Sequence, residues 1–498
     1  MLASKLIARW IVQRQNKWVR NPISTQWSIF KKLISRAKDT VFGKEHGFSS
    51  ISSYKEFKQR VPVRTYEDIS SYIGKIKKGS ENVLWPGIPL YFAETSGTTS
   101  GSKYIPITKE SLPYHLSTAR NALLNYIYTT GKSDFINGKM LFLSGSPKLS
   151  NDNVPVGRLS GIVNHHIPFY LKKNHLPSFK TNCIDNWEDK LTSVIDEVVN
   201  TKLTLISGIP PWVQMFFDRL ELHTNCKASQ IFSSMSLLVH GGVNFAPYRT
   251  KFFNSIGKNI DTIETYPASE GFIAFQDLQE DTSLLLQLNS GIFFEFIPMS
   301  EYFSSKSTRI SLEDVTTGVD YALILSTNAG LWAYDLGDTI RFSSINPYKI
   351  EVTGRTKHFI SAFGEHVIAE EIDKAMEEAL KKNPEVTITE FTVAPYIAPK
   401  QEDSYHEWLI EFIHKPHDIR KFAADLENKI KMLNPYYNNL VTGKILQQLK
   451  INCLTNGTFN YTMTNKKTLG EQNKVVRLSN NRNLANELCE NSVFLKNN

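Results

Sequence analysis

Long apolar runs are missing from this 498-residue sequence. No stretch of about 18 apolar residues occurs, so nothing in it reads as a membrane-spanning helix. Cysteine is scarce, with Cys183, Cys226, Cys453 and Cys489 far apart. There is no Cys-x-x-Cys pair and no Cys/His cluster at metal spacing, so a zinc site is not expected. So few thiols in so large a chain fit a reducing compartment without disulfides. The N-terminal stretch MLASKLIARWIVQRQNKW is interrupted by Lys5, Arg9 and Arg14. It therefore lacks the apolar centre of a signal peptide and reads as an amphipathic helix, with the cytoplasm as the expected location. Blocks of like charge are also absent. Lys plus Arg number 57 against 49 Asp plus Glu, giving net charge +8 and a pI near 9.0, but the two signs are interspersed. That is the pattern of a solvated surface rather than a nucleic-acid footprint. Neither an internal repeat nor a low-complexity tract occurs. The expected partners exclude nucleic acid and membrane, and no obligatory protein partner is evident.

The composition that remains, 41% hydrophobic, is enough for several cores, so two or more domains are expected. Residues from about 5 to 40 carry helical spacing, in Leu6, Ile7, Trp10 and Ile11 and again in Trp27, Phe30, Leu33 and Ile34. From about residue 84, short apolar runs alternate with helical stretches. The runs are LYFAE at 90–94, KMLFLSG at 139–145, LTLISG at 203–208, SLLVHGG at 236–242 and YALILST at 321–327; a helical stretch is NWEDKLTSVIDEVVN at 186–200. This alternation predicts an α/β domain whose strands end in loops that carry ligand chemistry. A second, α+β unit of roughly 140 residues begins near Arg355. In it, 365–382 reads as a helix with Ile368, Ile372, Ala375, Met376 and Ala379 on one face, followed by strand-like VTITEFTVAPY and HEWLIEFI and helical DIRKFAADLENKIKML.

The most informative stretch is Glu94-Thr95-Ser96-Gly97-Thr98-Thr99-Ser100-Gly101-Ser102-Lys103. Its two glycines allow tight turns, its hydroxyls can donate to phosphate oxygens, Lys103 adds positive charge, and successive backbone N–H groups can form an anion nest. It is not a Walker A loop, because only three residues separate the glycines and Ser102 precedes the lysine. ETSGTTSGSKYIPIT resembles the phosphate-binding motif of the adenylate-forming superfamily. More closely it is similar to the auxin-responsive acyl-acid amido synthetase family. Seven further segments match that family in order: FGKEHGF, VPVRTYEDI, HGGVNFAPY, TYPASEGFIAF, LWAYDLGDTIRF, VTGRTKHFISAFGEH and GEQNKVVRLSNNR. The resemblance spans nearly the whole chain.

The resemblance implies an α/β fold with a large N-terminal adenylate-forming domain of mixed sheets (1–354) and a small mobile α+β C-terminal domain (355–498). It implies ATP and Mg2+ as cofactors, with a small-molecule carboxylic acid and an amino acid as substrates. Ser96, Gly97, Thr98 and Thr99 would bind ATP phosphates. In Tyr266-Pro267-Ala268-Ser269-Glu270, Tyr266 would pack near the base, Ser269 lie near the α-phosphate and Glu270 hold the metal. Gly241 and Gly242 would let backbone lie against adenine, although a strand-to-loop turn explains them equally, and His240 reads as well as a core histidine. Asp338 would accept hydrogen bonds from both ribose hydroxyls. Asp335 departs from the arginine common at its position. Arg355 would contact ribose and phosphates, Lys357 would be the hinge, and Lys474 would be the catalytic lysine of the adenylation step; a surface lysine is the ordinary alternative for the last two. Glu471 stands where another glycine is expected. Two other functions compete, an acyl-CoA ligase of the same superfamily and a non-catalytic nucleotide-binding regulator.

Overall fold

A computed structural model describes the chain except residues 1, 96–101, 243–244, 246–248, 303, 305–306, 357–358, 361, 364, 366, 399–403, 466–474, 476 and 498. Two compact units emerge, the larger holding Met1–Thr95 and Lys103–Thr356 and the smaller holding Lys357–Asn498.

The larger unit begins with two helices rather than one continuous segment, Leu2–Val19 and Pro22–Ala37. Pro22 separates them: its missing N–H cannot continue the first helix, while its fixed φ suits the first turn of the second. Ile29, Phe30, Leu33, Ile34 and Ala37 then form one buried stripe. The same helix is fastened by Gln26, whose amide donates to the carbonyls of Leu288 and Ile292 and accepts from Phe294 N–H.

The strands of this unit are β1 Tyr91–Thr95, β2 Lys103–Ile107, β3 Lys139–Leu143, β4 Val156–Gly157, β5 His175–Leu176, β6 Leu203–Gly208, β7 Leu237–Gly241, β8 Asp261–Ala268, β9 Gly271–Gln276, β10 Leu284–Leu286, β11 Ile292–Pro298, β12 Ile310–Ser311, β13 Asp320–Thr327, β14 Tyr334–Ile345 and β15 Tyr348–Arg355. β2, β1 and β4 form a small sheet. The other twelve form one sheet in the order β12-β11-β13-β14-β15-β10-β9-β8-β7-β6-β3-β5. From β5 to β8 every pairing is parallel; from β8 to β12 every pairing is antiparallel.

The parallel part is covered on both faces, which is why its strands read as continuous apolar runs. Leu203 and Ile206 of β6 and Leu238 of β7 pack with Leu191, Val194, Ile195 and Val198 of helix Trp187–Val198 and with Phe216 and Leu220 of helix Pro210–Thr224. On the other face Leu205, Leu237 and Ile263 meet Ala122, Tyr126 and Ile127 of helix Leu112–Thr130. Each such fully buried aliphatic side chain contributes about 1.5–3 kcal/mol relative to exposure.

The antiparallel part curls. Tyr266 on β8 and Asp338 on β14 are four strand spacings apart along the sheet, roughly 19 Å if it were flat. Yet the Tyr266 hydroxyl donates to the Asp338 carboxylate. The inner face of the curl is filled by Ile273, Leu284, Phe294, Leu325, Ile340 and Phe342, in one core with Tyr266 and Tyr334.

In the smaller unit, β16 Phe359–Ile360 pairs with β17 Val367–Ile368, and β18 Thr387–Tyr396, β19 Tyr405–His414 and β20 Lys450–Leu454 form a second sheet. Helix Ala369–Lys382 buries Ile372, Ala375, Met376 and Ala379 as the spacing predicts. It starts later than expected, because Val367 and Ile368 pair with Ile360 and Phe359 instead of joining the helix. Buried carboxylates tie this unit together. Glu427 accepts from the Tyr437 hydroxyl and from Leu449 N–H, and Glu411 accepts from Gly457 and Phe459 N–H. The α/β class with mixed sheets and a smaller α+β C-terminal part stands as read from the sequence.

Candidate active site

The switch from parallel to antiparallel pairing occurs at β8, and open α/β sheets place ligands outside the carboxyl ends of their parallel strands. Two of the motif segments meet at the ends of β7 and β8. Gly241 ends β7, Gly242 follows it, and Tyr266 lies near the end of β8. Ser269 and Glu270 form the two-residue turn into β9, with Ala268 opposite Gly271 and an irregularity between Tyr266 and Pro267. Such bulges re-aim side chains beside a site. Ser269 and Glu270 are half-buried.

The two glycines have local explanations. A Cβ on Gly241 would fall 2.1 Å from the Thr265 carbonyl oxygen, so only glycine lets β7 lie this close to β8. Gly242 has φ +83°, which glycine adopts without strain. His240 is buried, packs its ring 4.3 Å from that of Phe245 and is held neutral by desolvation, its pKa lowered to about 3. It is a core residue.

Asp338 follows a turn built around Asp335. The Asp335 carboxylate accepts from Gly337 N–H at 2.8 Å and from the Tyr302 hydroxyl, and Gly337 has φ +84°. Thr356 N–H donates to the Gly337 carbonyl at 2.9 Å, and Asp338 is the register partner of Arg355. Position 335 thus has a positioning role that sequence reasoning missed; the Asp-x-Gly spacing, typical of a side chain capping its own turn, was the available signal. Asp338 and Tyr266 are both more than nine-tenths buried.

Tyr334 is the second residue the sequence reading left unassigned. Its ring is fully buried, and its hydroxyl has no hydrogen-bond partner among the described residues. Burial, then the negative charges of Glu270, Asp335 and Glu67, push its pKa far above the ordinary range. Tyr66 also belongs to these surroundings. Tyr66 accepts a hydrogen bond from Tyr104 N–H on β2 and lies with its ring 5.8 Å from Lys103 Nζ. Lys103 is in turn the register partner of Thr95. Glu270 and Asp335 therefore bear on Tyr334, and Tyr66 links these surroundings to the base of the β1–β2 hairpin. Ser96, Gly97, Thr98 and Thr99, together with Lys357 and Lys474, lie outside the described residues. After Lys474 in the chain, Val475 packs against the core of Ala394, Leu409 and Leu488, and Arg477 pairs with Asp373 at 2.9 Å and Glu390 at 2.6 Å and donates to the Phe391 carbonyl.

This fold is shared with acyl-activating ligases of known structure. The chain superimposes on "AtGH3.15 acyl acid amido synthetase in complex with 2,4-DB" with TM-score 0.61 and 18% identity, over 97% of this chain and 96% of that one. It superimposes on a 2-hydroxyisobutyryl-CoA ligase solved with 2-HIB-AMP and CoA with TM-score 0.57 and 11% identity, over 96% and 93%. Profiles of the GH3 family N-terminal, central and C-terminal domains match residues 11–210, 285–355 and 370–483, and the chain belongs to the GH3 family. Among curated relatives, indole-3-acetic acid-amido synthetase GH3.3 of Arabidopsis thaliana is 22% identical over 89% of this chain and 87% of its own length. Jasmonoyl–L-amino acid synthetase JAR4 of Nicotiana attenuata is 20% identical over 64% and 67%.

Proposed function

We propose that this chain uses ATP to activate a small-molecule carboxylic acid and then joins the acyl group to the amine of an amino acid. The observation that carries the reading is that Glu270 and Asp335 bear on the buried Tyr334 while Tyr66, in the same surroundings, contacts the Lys103 end of the β1–β2 hairpin. Membership of a family whose named relatives are amido synthetases supports the amine as acceptor.

A free carboxylate is a poor acyl donor, because an amine takes its proton rather than attacking its carbon. Attack of a carboxylate oxygen on the α-phosphate expels pyrophosphate and leaves AMP as a good leaving group. The amine then bonds to the acyl carbon, loses a proton, and AMP departs with the C–O bonding pair. The first step brings two anions together, so positive charge and aligned N–H groups must dominate the site. Ser96, Gly97, Thr98 and Thr99 bind the phosphates, Ser269 lies near the α-phosphate, and Arg355 and Lys474 offset the developing charge. Tyr266 and Asp338 hold the nucleoside, with Gly241 and Gly242 at its edge. Lys357 is the hinge at which domains 1–354 and 355–498 rearrange between half-reactions.

Among the described residues no group of three or more His, Cys, Asp or Glu could hold a metal by itself. A half-buried carboxylate such as Glu270 fits Mg2+, which takes one or two protein oxygens and completes its shell with phosphates and water. Bound there, Mg2+ would shield the phosphate charge. No described helix is long and apolar enough to cross a membrane; we place the protein in the cytoplasm. ATP–pyrophosphate exchange across a panel of carboxylic acids tests the first half-reaction, and no exchange with any acid rejects it. Product mass spectrometry with amino acids or coenzyme A tests the second; a thioester in place of an amide rejects the amine as acceptor.

A further inference from the structure

A cleft of about 460 Å³ lies between helix Leu2–Val19, helix Leu112–Thr130 and segment 287–290, which joins β10 to β11. None of the nucleotide-site residues lines it. Three cations do: Arg14, Lys17 and Arg120. No carboxylate is among the lining residues, helix Leu2–Val19 contains no Asp or Glu, and none of the three cations forms an ion pair with a described residue. Like charges gathered without counter-charges raise the local potential, and a concave wall focuses it.

Exposed basic side chains alone would be a solvated face. Gln15 makes this one different. Its side chain is 94% buried, since only 6% is exposed, it lines the cleft, and its amide nitrogen has no hydrogen-bond partner among the described residues. A buried N–H donor without an acceptor is unfavourable, and rotation of the amide about its terminal torsion toward the cleft lets it donate to a ligand oxygen. Trp18 and Tyr114 provide an aromatic wall beside these donors. Pockets for small molecules combine such apolar walls with a few convergent polar groups.

We propose that this cleft binds a small organic anion, with its carboxylate or phosphate head against Arg14, Lys17, Arg120 and the Gln15 amide and its apolar body against Trp18. The site stands independently of the nucleotide reading. Segment 287–290 couples it to the sheet, for Gln287 N–H donates to the Ile273 carbonyl on β9 at 2.9 Å, three residues beyond Glu270.

Titration calorimetry on the full chain with phenyl phosphate and with phenylacetate tests the assignment. At least one binds saturably at one per chain, and which of them binds identifies the head. Arg14→Ala combined with Arg120→Ala weakens it at least tenfold, by about 1.4 kcal/mol. Gln15→Leu, which keeps the side chain's size, weakens it severalfold and serves as a milder probe should the double variant fold poorly. No saturable binding of either probe overturns the proposal, as does an affinity unchanged in both variants. Simple competition of the probe with Mg-ATP would place the anion in the nucleotide pocket and also overturn it.

Discussion

The two halves of the twelve-stranded sheet solve different problems. The parallel half, β5 to β8, is sandwiched between helices, and its inward residues are aliphatic along nearly their whole length. The antiparallel half curls upon itself, so that residues 72 positions apart in the chain share a hydrogen bond. One half supplies a platform whose stability is spread over many interchangeable methyl groups. The other brings a few polar groups to one point, where contacts such as Tyr266 with Asp338 depend on individual partners. Substitutions in the two halves should therefore fail differently: in the curl, chemistry is lost with the fold kept; in the platform, stability is lost with chemistry per folded molecule kept.

The largest effect is expected at Glu270, on the turn where the halves meet. Glu270→Ala should lower ATP–pyrophosphate exchange by about 10³-fold, the scale of removing one preorganised electrostatic contact or more. Near-normal exchange at saturating Mg2+ would sink the metal assignment. Lys474→Ala should cost about 10²-fold in the same exchange. Single-turnover conversion of a supplied acyl-adenylate to amide should survive, because that step no longer requires the α-phosphate to be attacked. Loss of both half-reactions in equal measure would contradict the role given to Lys474. Tyr266→Phe removes only the hydroxyl that holds Asp338. A loss of about tenfold in kcat/KM for ATP, roughly 1.4 kcal/mol, is expected. A thermal midpoint that falls with no kinetic change would make the pair structural rather than nucleotide-directed.

On the platform side, Leu191 sits on a helix whose buried face packs against β6 and β7. Leu191→Ala should destabilise the larger unit by about 2–5 kcal/mol through lost contact and a residual cavity. Activity per folded molecule should hold. A drop in specific activity at temperatures well below the new midpoint would erase the distinction between the halves.

How much of this was legible depends on strand length and burial rather than on which half a strand belongs to. β3, β6, β7 and β13 fall within a residue or two of the apolar runs that announce them, because burial on both faces writes itself into local composition. Helix Trp187–Val198 likewise follows from its spacing and from Asn186, whose side chain caps it by accepting from Asp189 N–H. β4, β5 and β12 span two residues each and are too short for any period to show. The Tyr266–Asp338 bond could not be foreseen from either motif, since it depends on strand order and curl, which are settled by packing between distant segments. Asp335 looked like a departure from a pattern, and only the geometry of Gly337 gives it a purpose. Motifs named the groups, and topology decided which of them meet.

A pH-dependent effect concerns the seam itself. Glu264 lies on β8 opposite His240, and burial raises its carboxyl from an ordinary 4.5 to about 7. The folded state therefore binds this proton more tightly than the unfolded chain does. The resulting stability is fully present below pH 4.5 and is lost as pH rises through 7, with an upper magnitude of about 3 kcal/mol from 1.36 kcal/mol per unit. Urea midpoints of the wild-type chain should fall between pH 5 and pH 7.5, whereas Glu264→Gln, uncharged throughout, should flatten that slope. An equal fall in the variant would mean that other groups set the pH dependence, and that β8 carries no buried carboxyl cost at the junction of the two halves.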